Sequence, residues 1–330
     1  MKKKIAIVGV GGRTGTLFTQ ELMSEASVVG IGRESLVNKL NKGDIYVVRG
    51  ENNAIKLNCH AISDIDFDDK VKPDFIFITT KNPVAPVIRY YYERVDPNYI
   101  PDLILSQNGF LAADEAFEEL ENIFGGLAKK IRIIRIAFFN AVSITNTATK
   151  IFISYYLPIR LAFGVAYGPD YIEDLKGVFD RAKIEAYPVP QNEVKDMEFS
   201  KLFTNLIGVA SYAYGMSVEN GFKDKKAFSD EILVLKEFIR VVQKSNRGFL
   251  NFRHYPIRTF AYIIEKTPIH FLRPFRKLIA KIITKERGGK SKGNIDEIDY
   301  YNGAVVKLGN VLGVAIPVNK KIYEIIKGGL

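Results

Sequence analysis

Four glycines in seven residues follow the first apolar segment of the chain, in the sequence IAIVGVGGRTG. Residues 5–8 have no polar side chain, which is typical of a parallel strand that is covered on both faces. Residues 14–24 are predicted to form a helix. A glycine turn between a strand and a helix lets the backbone approach a phosphate, which the helix N-terminus then binds. This order predicts a dinucleotide-binding unit, and a tight turn without a ligand is the alternative.

The glycine spacing permits two interpretations. In the first, Gly9 and Gly11 are the first two glycines of the fingerprint, Thr14 stands at the third position, and Gly15 follows it. In the second, Gly9, Gly12 and Gly15 form a GxxGxxG variant. Both leave backbone amides available to a pyrophosphate. The predicted phosphate-binding residues are therefore those of the whole turn: Gly9, Gly11, Gly12, Arg13, Thr14 and Gly15.

A second apolar segment, residues 28–31, ends just before Arg33, 18 residues after Gly15. At this position an acidic residue binds the ribose of NAD, whereas an arginine binds the 2′-phosphate of NADP. A planar guanidinium suits two-point contact with phosphate, and Ser35 is placed to assist. We therefore predict NADP(H). The alternatives are a solvated arginine and a ribose contact from Glu34.

Three further apolar segments alternate with helical patterns: residues 73–81, 103–109 and 131–137. This alternation predicts an α/β fold, a Rossmann-type doubly wound parallel sheet, followed by a mostly α-helical C-terminal domain. We place the NADP-binding domain at residues 1–190 and the helical substrate domain at 191–330. Ligands of such sheets bind beyond the carboxyl ends of the strands, so we predict that Lys81 and Asn108, which lie there, bind the cofactor. A simple Asn-Gly turn is the alternative for Asn108.

The composition indicates the cellular compartment of the protein. Cys59 is the single cysteine, so the chain cannot form an internal disulfide, which suits the reducing cytoplasm. No apolar stretch approaches the roughly 20 residues of a membrane span. We therefore expect a cytoplasmic protein.

In their order along the chain these motifs resemble the ketopantoate reductase (2-dehydropantoate 2-reductase) family. The matching features are the glycine turn, Arg33, the lysine of TTK, the asparagine of SQNG, and the segments EFSKLFTN (198–205) and IDEIDYYNG (295–303). The resemblance implies NADPH-dependent reduction of ketopantoate, or a related 2-oxo acid, as in pantothenate biosynthesis. It also implies that Lys201 is the general acid and that Asn108, Asn205 and Glu297 orient the substrate. A small-molecule substrate is the expected partner, and a homodimer is one option for assembly.

The residues of the lysine segment agree with that role. Lys201 and Asn205 are an i, i+4 pair and therefore share one face of a helix. Apolar neighbours reduce the solvation of Lys201, which predicts a lowered pKa and a proton donor near neutral pH. A lysine whose stem packs at a helix edge is the alternative. For Glu297 the alternative is a first-turn glutamate that the helix dipole favours.

Two positions depart from the family pattern. Val209 stands where the family has a second asparagine, and the carboxylate-binding serine has no clear counterpart. Ser291 lies at a different spacing, and Lys290, Lys292 and Asn294 are other candidates for binding a carboxylate. These differences leave the reaction type unchanged, but they make a 2-oxo acid other than ketopantoate an alternative substrate.

Residues 247–287 carry ten Lys or Arg and two Glu, and so contribute +8 to a net charge of +10. Their apolar residues recur at helical spacing: Phe271, Leu272, Phe275, Leu278, Ile279, Ile282 and Ile283. We favour a helix that buries this face and solvates its basic side. Contact with an anionic membrane or an acidic partner is the alternative, and no nucleic-acid motif accompanies the charge. The rival function is a non-catalytic NADP(H)-binding sensor or scaffold that uses this segment.

Overall fold

The computed structural model describes residues 2–68, 70–287 and 297–328, without the side chains of 282–287. The chain forms two compact units. Unit 1 comprises Met1–Gln107 and Ala112–Val194, and unit 2 comprises Asn108–Leu111 and Lys195–Leu330. The division falls shortly after the boundary predicted at residue 190, and it also assigns the short segment that contains Asn108 to unit 2.

The strands are β1 (Lys4–Val8), β2 (Ser27–Gly32), β3 (Ile45–Arg49), β4 (Ile55–Lys56), β5 (His60–Ser63), β6 (Phe75–Ile78), β7 (Asp102–Leu105), β8 (Ile133–Phe138), β9 (Val142–Asn146), β10 (Ile151–Tyr155), β11 (Arg160–Tyr167) and β12 (Glu185–Pro188). The helices are α1 (Arg13–Leu22), α2 (Glu34–Lys42), α3 (Ala85–Tyr92), α4 (Ala112–Phe124), α5 (Glu173–Arg181), α6 (Val194–Leu206), α7 (Val209–Ala213), α8 (Val218–Lys223), α9 (Lys225–Lys244), α10 (Ile257–Lys266), α11 (Ile269–Leu272), α12 (Arg276–Arg287), α13 (Asn302–Val311) and α14 (Pro317–Gly328).

Unit 1 is built on an eight-stranded sheet with the order β12-β11-β8-β7-β6-β1-β2-β5. Six neighbouring strands of this sheet run parallel to one another: β5, β2, β1, β6, β7 and β8. Strand β11 runs antiparallel to β8. The predicted α/β class is therefore confirmed, with a sheet that is mixed rather than wholly parallel. A parallel neighbour for β8 would need a crossover, usually a helix. The chain between β8 and β11 instead forms β9 and β10.

Strand β1 shows why its sequence is uniformly apolar. Ile5 and Ile7 point to one side of the sheet and join the core cluster that contains Phe18 of α1. Ala6 and Val8 point to the other side and join the cluster that contains Ile88 of α3. Both faces are thus covered by helices, as the pattern of residues 5–8 predicts.

A second sheet in unit 1, with the order β4-β3-β10-β9, has no counterpart in the sequence-based prediction. Strand β10 pairs parallel with β3, and Ile153 lies opposite Val47. Both side chains are fully buried and belong to the cluster that contains Leu17 of α1. The sheet therefore covers the helix that begins at the glycine turn.

Unit 2 contains helices packed around α9, whose Val234 and Phe238 are fully buried. The prediction for the basic segment is wrong at three positions. Phe271, Phe275 and Leu278 are 61%, 59% and 56% exposed rather than buried. Leu272 and Ile279 pack inward instead. Apolar residues occupy more than one face here, so their spacing does not determine which face is buried.

Within the described part of the chain, no helix has both the length and the apolar character needed to cross a membrane.

Candidate functional site

The glycine turn of unit 1 has a backbone that only glycine adopts readily. Gly9 and Gly11 have φ values of +96° and +89°. The Gly9 amide donates to the Ile31 carbonyl of β2 at 2.8 Å, which fixes the turn to the neighbouring strand. Gly12 then precedes the first residue of α1 and has no capping side chain. The first amides of α1 have no partner within the helix, so this end can bind an anion.

Gly15 distinguishes the two interpretations of the spacing. A Cβ at this position would lie 2.2 Å from the Gly9 carbonyl oxygen and 2.8 Å from Thr79 Oγ1. Thr14 has no such constraint, since it lies on the first turn of α1 and is half-buried. The close approach of helix and turn therefore occurs at Gly15, which favours the GxxGxxG interpretation. The positive φ of Gly11 instead favours the first interpretation, in which Gly11 is the second glycine of the fingerprint. The turn thus needs Gly9 and Gly11 for their positive φ values and Gly15 for its close approach to the Gly9 carbonyl.

Arg33 and Lys81 follow strands that flank β1. Arg33 comes directly after β2 at the start of α2, and Lys81 comes shortly after β6. Both are exposed. Among the described residues no group bonds to the Arg33 guanidinium, so its donors are available to a ligand. Because β2, β1 and β6 are adjacent parallel strands, the glycine turn, Arg33 and Lys81 lie at one edge of the sheet.

The end of β6 is held by buried polar groups. Thr79 Oγ1 donates to the Val8 carbonyl at 2.7 Å. Gln107 Nε2 donates to the carbonyls of Ile78 and Thr80 at 2.9 and 2.8 Å, and the Gln107 carbonyl accepts from buried Arg135 at 2.8 Å. These bonds fix the backbone that leads to Lys81. The sequence analysis missed Gln107 and Arg135, although Gln107 stands beside Asn108 in the SQNG motif.

In unit 2, three of the predicted substrate residues form one hydrogen-bonded chain. Asn205 Nδ2 on α6 donates to Asn108 Oδ1 at 3.0 Å. Asn108 Nδ2 donates in turn to Glu297 Oε2 at 3.3 Å. Residues far apart in sequence thus meet in one polar cluster. Glu297 is only 6% exposed, so its carboxylate depends on such donors. Asn108, predicted for the cofactor as well, belongs to this cluster.

Gly109 explains how Asn108 comes so close to the Glu297 segment. Its φ is +92°, and a Cβ there would lie 2.7 Å from the Tyr300 carbonyl oxygen. Tyr300 closes the 3-10 turn that follows Glu297. The Asn-Gly pair is therefore a turn, as the alternative interpretation has it, and also the reason that the Asn108 amide reaches Glu297. Because α13 begins only at Asn302, Glu297 is not in its first turn.

Lys201 lies one helical turn before Asn205 on α6 and is half-buried. Its neighbours Leu202 and Phe203 are buried. The i, i+4 spacing on one helix places Lys201 and Asn205 on a common face, as predicted. The role of the lysine as proton donor stays a prediction.

The segment that carries Glu297 is fixed by buried side chains that sequence analysis missed. Asn302 Nδ2 donates to Asn319 Oδ1 at 3.0 Å, and Asn319 Nδ2 donates to Glu237 Oε2 at 2.8 Å. Glu237 Oε1 also accepts from the Val318 amide at 2.9 Å, at the start of α14. Asn302 and Asn319 lie in segments that match the family pattern, but only the fold shows that they pair.

Val209 does not continue the helix of Lys201. Helix α6 ends at Leu206, Gly208 has a φ of +97°, and Val209 begins α7. The buried carboxylate of Glu231 accepts from the amides of Gly208 and Ser211 at 3.0 and 2.7 Å. Val209 is 6% exposed and offers no polar group. The other candidates for binding a carboxylate, Lys290, Ser291, Lys292 and Asn294, lie outside the described residues.

Two family models match this chain. The model described as Ketopantoate reductase PanE/ApbA matches residues 5–146, and its C-terminal counterpart matches residues 193–329. Together they include the glycine turn, Arg33, Lys81, Asn108, Lys201, Asn205 and Glu297.

Solved structures share the fold at low sequence identity. A PanE/ApbA family ketopantoate reductase from Ralstonia eutropha JMP134 is 15% identical, with a TM-score of 0.73 over 98% of this chain and 97% of that one. D-mandelate dehydrogenase with NADH and anilino(oxo)acetate is 15% identical, with a TM-score of 0.72 over 98% and 97%. The 2-dehydropantoate 2-reductase from Methylococcus capsulatus is 16% identical, with a TM-score of 0.68 over 98% and 96%.

One curated protein matches over a short segment. It is a 2-dehydropantoate 2-reductase of Pyrobaculum aerophilum, 68% identical over 31 residues. The match spans 9% of this chain and 11% of that protein.

Proposed function

Because this chain belongs to the ketopantoate reductase family, we propose that it reduces a 2-oxo acid to a 2-hydroxy acid with NADPH. The observation that carries the proposal is the hydrogen-bonded chain from Asn205 through Asn108 to Glu297. It gathers three polar side chains from distant parts of the sequence, each at a position that matches the family motifs. Two asparagines that only stabilised the protein core would not need a buried carboxylate as a hydrogen-bond partner.

The residues of unit 1 fit a dinucleotide. The turn from Gly9 to Gly15 leaves no room for a Cβ at Gly15 and would present the N-terminus of α1 to a pyrophosphate. Arg33 would bind the 2′-phosphate with two donors, which is the basis for proposing NADPH. The D-mandelate dehydrogenase structures contain NADH, so the fold alone does not decide between the two cofactors. Lys81 would contribute a further positive charge at the same edge.

The polar cluster of unit 2 would orient the substrate. Asn108 already accepts one hydrogen bond and donates another, so its amide plane is fixed. The Glu297 carboxylate would accept a hydrogen bond from a substrate hydroxyl, as in ketopantoate. Val209 supplies no polar group where the family has its second asparagine. A 2-oxo acid without that hydroxyl is therefore the second candidate substrate.

Reduced nicotinamide would supply the hydride to the ketone carbon. Negative charge then develops on the former carbonyl oxygen, and the Lys201 ammonium would stabilise this charge and donate the proton. The product is the 2-hydroxy acid, with the proton on its new hydroxyl and a neutral amine left on Lys201. Asn205, one helical turn away, would donate a hydrogen bond to the same oxygen or to the carboxylate of the substrate.

Lys201→Ala tests the proton donor. Since a general acid contributes about 10²–10⁴-fold in rate, the variant should lose kcat by that factor. NADPH affinity, measured by fluorescence titration, should barely change. In the wild type, the rate of reduction should fall as pH rises through the pKa of the lysine. Lys307→Ala, which changes an exposed lysine of unit 2, is the matched control.

A Lys201→Ala enzyme that keeps most of its kcat would show that the lysine is structural. The substrate is identified separately, by following NADPH oxidation across 2-oxo acids with and without a hydroxyl next to the carbonyl. If NADPH binds but none of them is reduced, a non-catalytic NADP(H)-binding sensor becomes the better explanation.

A further inference from the structure

The exposed side of the basic segment is apolar. Phe271 in α11, Phe275 in the 3-10 turn between α11 and α12, and Leu278 in α12 follow one another at i, i+4 and i+7, and each is more than half exposed. We call these three residues the outer stripe. Phe260 and Ile263 on the preceding helix α10 are 51% and 46% exposed. Isolated exposed apolar residues need no explanation, but a run of large ones indicates a contact surface.

The orientation of this segment is fixed by its inner face. Arg276 Nε donates to the Lys223 carbonyl at the end of α8, at 3.0 Å. Arg273 donates to Ser229 Oγ of α9 at 3.1 Å. Leu272 and Ile279 pack on the cluster formed by Phe222 and its neighbours. Both guanidinium groups, together with Leu272 and Ile279, therefore hold the segment against the rest of unit 2, which leaves the outer stripe facing away.

Lysines border the outer stripe. Lys277 and Lys281 are exposed, lie one turn apart on α12, and flank Leu278. Among the described residues Lys277 has no carboxylate partner. Glu265, the one carboxylate among the described side chains of 247–287, pairs with Lys266 at 3.3 Å. Lys277 is therefore available to an anionic partner.

We propose that residues 257–281 form a docking surface for an anionic lipid membrane, with the outer stripe inserted between headgroups and the lysines bound to lipid phosphates. The inference goes beyond the proposed reaction and does not depend on it. Phenylalanine and leucine flanked by lysine are typical of helices that lie in the plane of a membrane interface. No described helix could span the membrane, so the contact would be peripheral.

The positive charge of this surface favours a membrane over a second copy of the chain as its partner. A symmetric dimer through this surface would bring the same patch against itself. Residues 257–281 carry six Lys or Arg and one Glu, a net charge of +5, so two copies would repel each other. An anionic leaflet attracts the same charge and also accepts the apolar side chains.

Vesicle co-sedimentation of the full-length protein tests the proposal. One set of vesicles is phosphatidylcholine alone, and the other is phosphatidylcholine and phosphatidylglycerol in equal parts. We expect the protein to sediment with the anionic vesicles only, and less so as salt screens the lysines. Lys277→Glu with Lys281→Glu should weaken binding about tenfold or more, because attraction grows with each basic residue near the surface.

A second variant separates insertion from charge. Changing the outer stripe to serine (Phe271→Ser, Phe275→Ser, Leu278→Ser) should abolish the binding that persists at high salt. These side chains are exposed, so the fold should survive, which circular dichroism checks. The matched control in unit 1 combines Leu127→Ser, Lys129→Glu and Lys130→Glu, all at exposed positions, and should bind like the wild type.

Three outcomes would contradict the proposal. Wild-type protein that stays in the supernatant with both kinds of vesicle excludes a membrane surface. A concentration-dependent dimer, seen by light scattering and lost in the serine variant without any vesicle binding, would make the stripe an interface between copies. Equal binding of the Lys277→Glu, Lys281→Glu protein and the wild type would also contradict the role of charge.

Discussion

Arg33 is the residue on which the preference for NADPH over NADH depends. Its guanidinium has no bonding partner among the described residues, so a 2′-phosphate would add new charged hydrogen bonds. Such bonds are worth about 1.5–3 kcal/mol, which corresponds to tenfold or more in affinity. We therefore expect NADPH to bind at least about tenfold tighter than NADH, and Arg33→Gln to abolish this difference. Fluorescence titration measures both affinities, and Lys42→Gln, an exposed change on the same helix, is the control. Equal affinities in the wild type would remove Arg33 from this role.

Gly15 carries a different prediction, because its constraint is steric. Gly15→Ala would place a Cβ 2.2 Å from the Gly9 carbonyl oxygen, and backbone cannot move aside as a flexible side chain can. The start of α1 must shift, so we expect NADPH affinity to fall at least tenfold and the free energy of unfolding to drop by about 1–3 kcal/mol. Gly126→Ala is the matched control, since a Cβ there meets nothing within 4 Å. Normal binding by Gly15→Ala would show that the turn is not the phosphate site.

Among the elements, α5 is connected to the sheet of unit 1 by a partly buried ion-pair network. Arg132, next to β8, donates to Asp102 of β7 at 2.7 Å and to Asp174 of α5 at 2.8 Å. Burial alone would raise the pKa of Asp174, but the hydrogen bonds and positive charge of Arg132 outweigh it and hold this pKa below its usual value. The carboxylate thus stabilises the fold above its unfolded pKa of about 3.9, and that stability is lost as pH falls through the lower folded pKa.

Asp174→Asn should therefore lower the free energy of unfolding at neutral pH by about 1.5–3 kcal/mol, the value of charged hydrogen bonds. It should also flatten the loss of stability with acid below about pH 4, because one titrating carboxylate has been removed. Urea unfolding at several pH values measures both effects. Asp66→Asn, at an exposed position of unit 1, should change neither. A variant with the wild-type acid dependence would show that Asp174 does not contribute to it.

The elements also show what sequence can and cannot predict. Strands β1, β6 and β7 are continuous apolar segments followed by turn residues, so local pattern was enough to place them. Strands β3 and β10 pair with each other although they lie about a hundred residues apart in sequence, so pattern alone does not reveal the second sheet. The same limit applies to the candidate site. Motifs alone predict Asn108, Asn205 and Glu297. They do not predict Gln107, Asn302 and Asn319, because these residues form hydrogen bonds with groups that only the fold brings near.

At the scale of the whole molecule, each unit has its own core and its own part of the proposed chemistry. Unit 1 carries the proposed dinucleotide site at one edge of its sheet, with core clusters on both faces of that sheet. Unit 2 carries the polar cluster around Glu297 and a separate apolar cluster around Phe222. A ligand that contacts only one unit stabilises that unit alone, unless the two unfold together.

NADPH should consequently protect the units unequally. A ligand at about 100 times its Kd stabilises the state that binds it by about 2.7 kcal/mol. Hydrogen exchange followed by mass spectrometry should therefore slow in β1, β2 and β6 when NADPH is added, and change little in α9 and α14. Gly15→Ala should remove the effect at the same NADPH concentration, and Gly126→Ala should preserve it. Equal protection of both units would mean that they open as one cooperative block, and protection confined to unit 2 would contradict a dinucleotide site at the glycine turn.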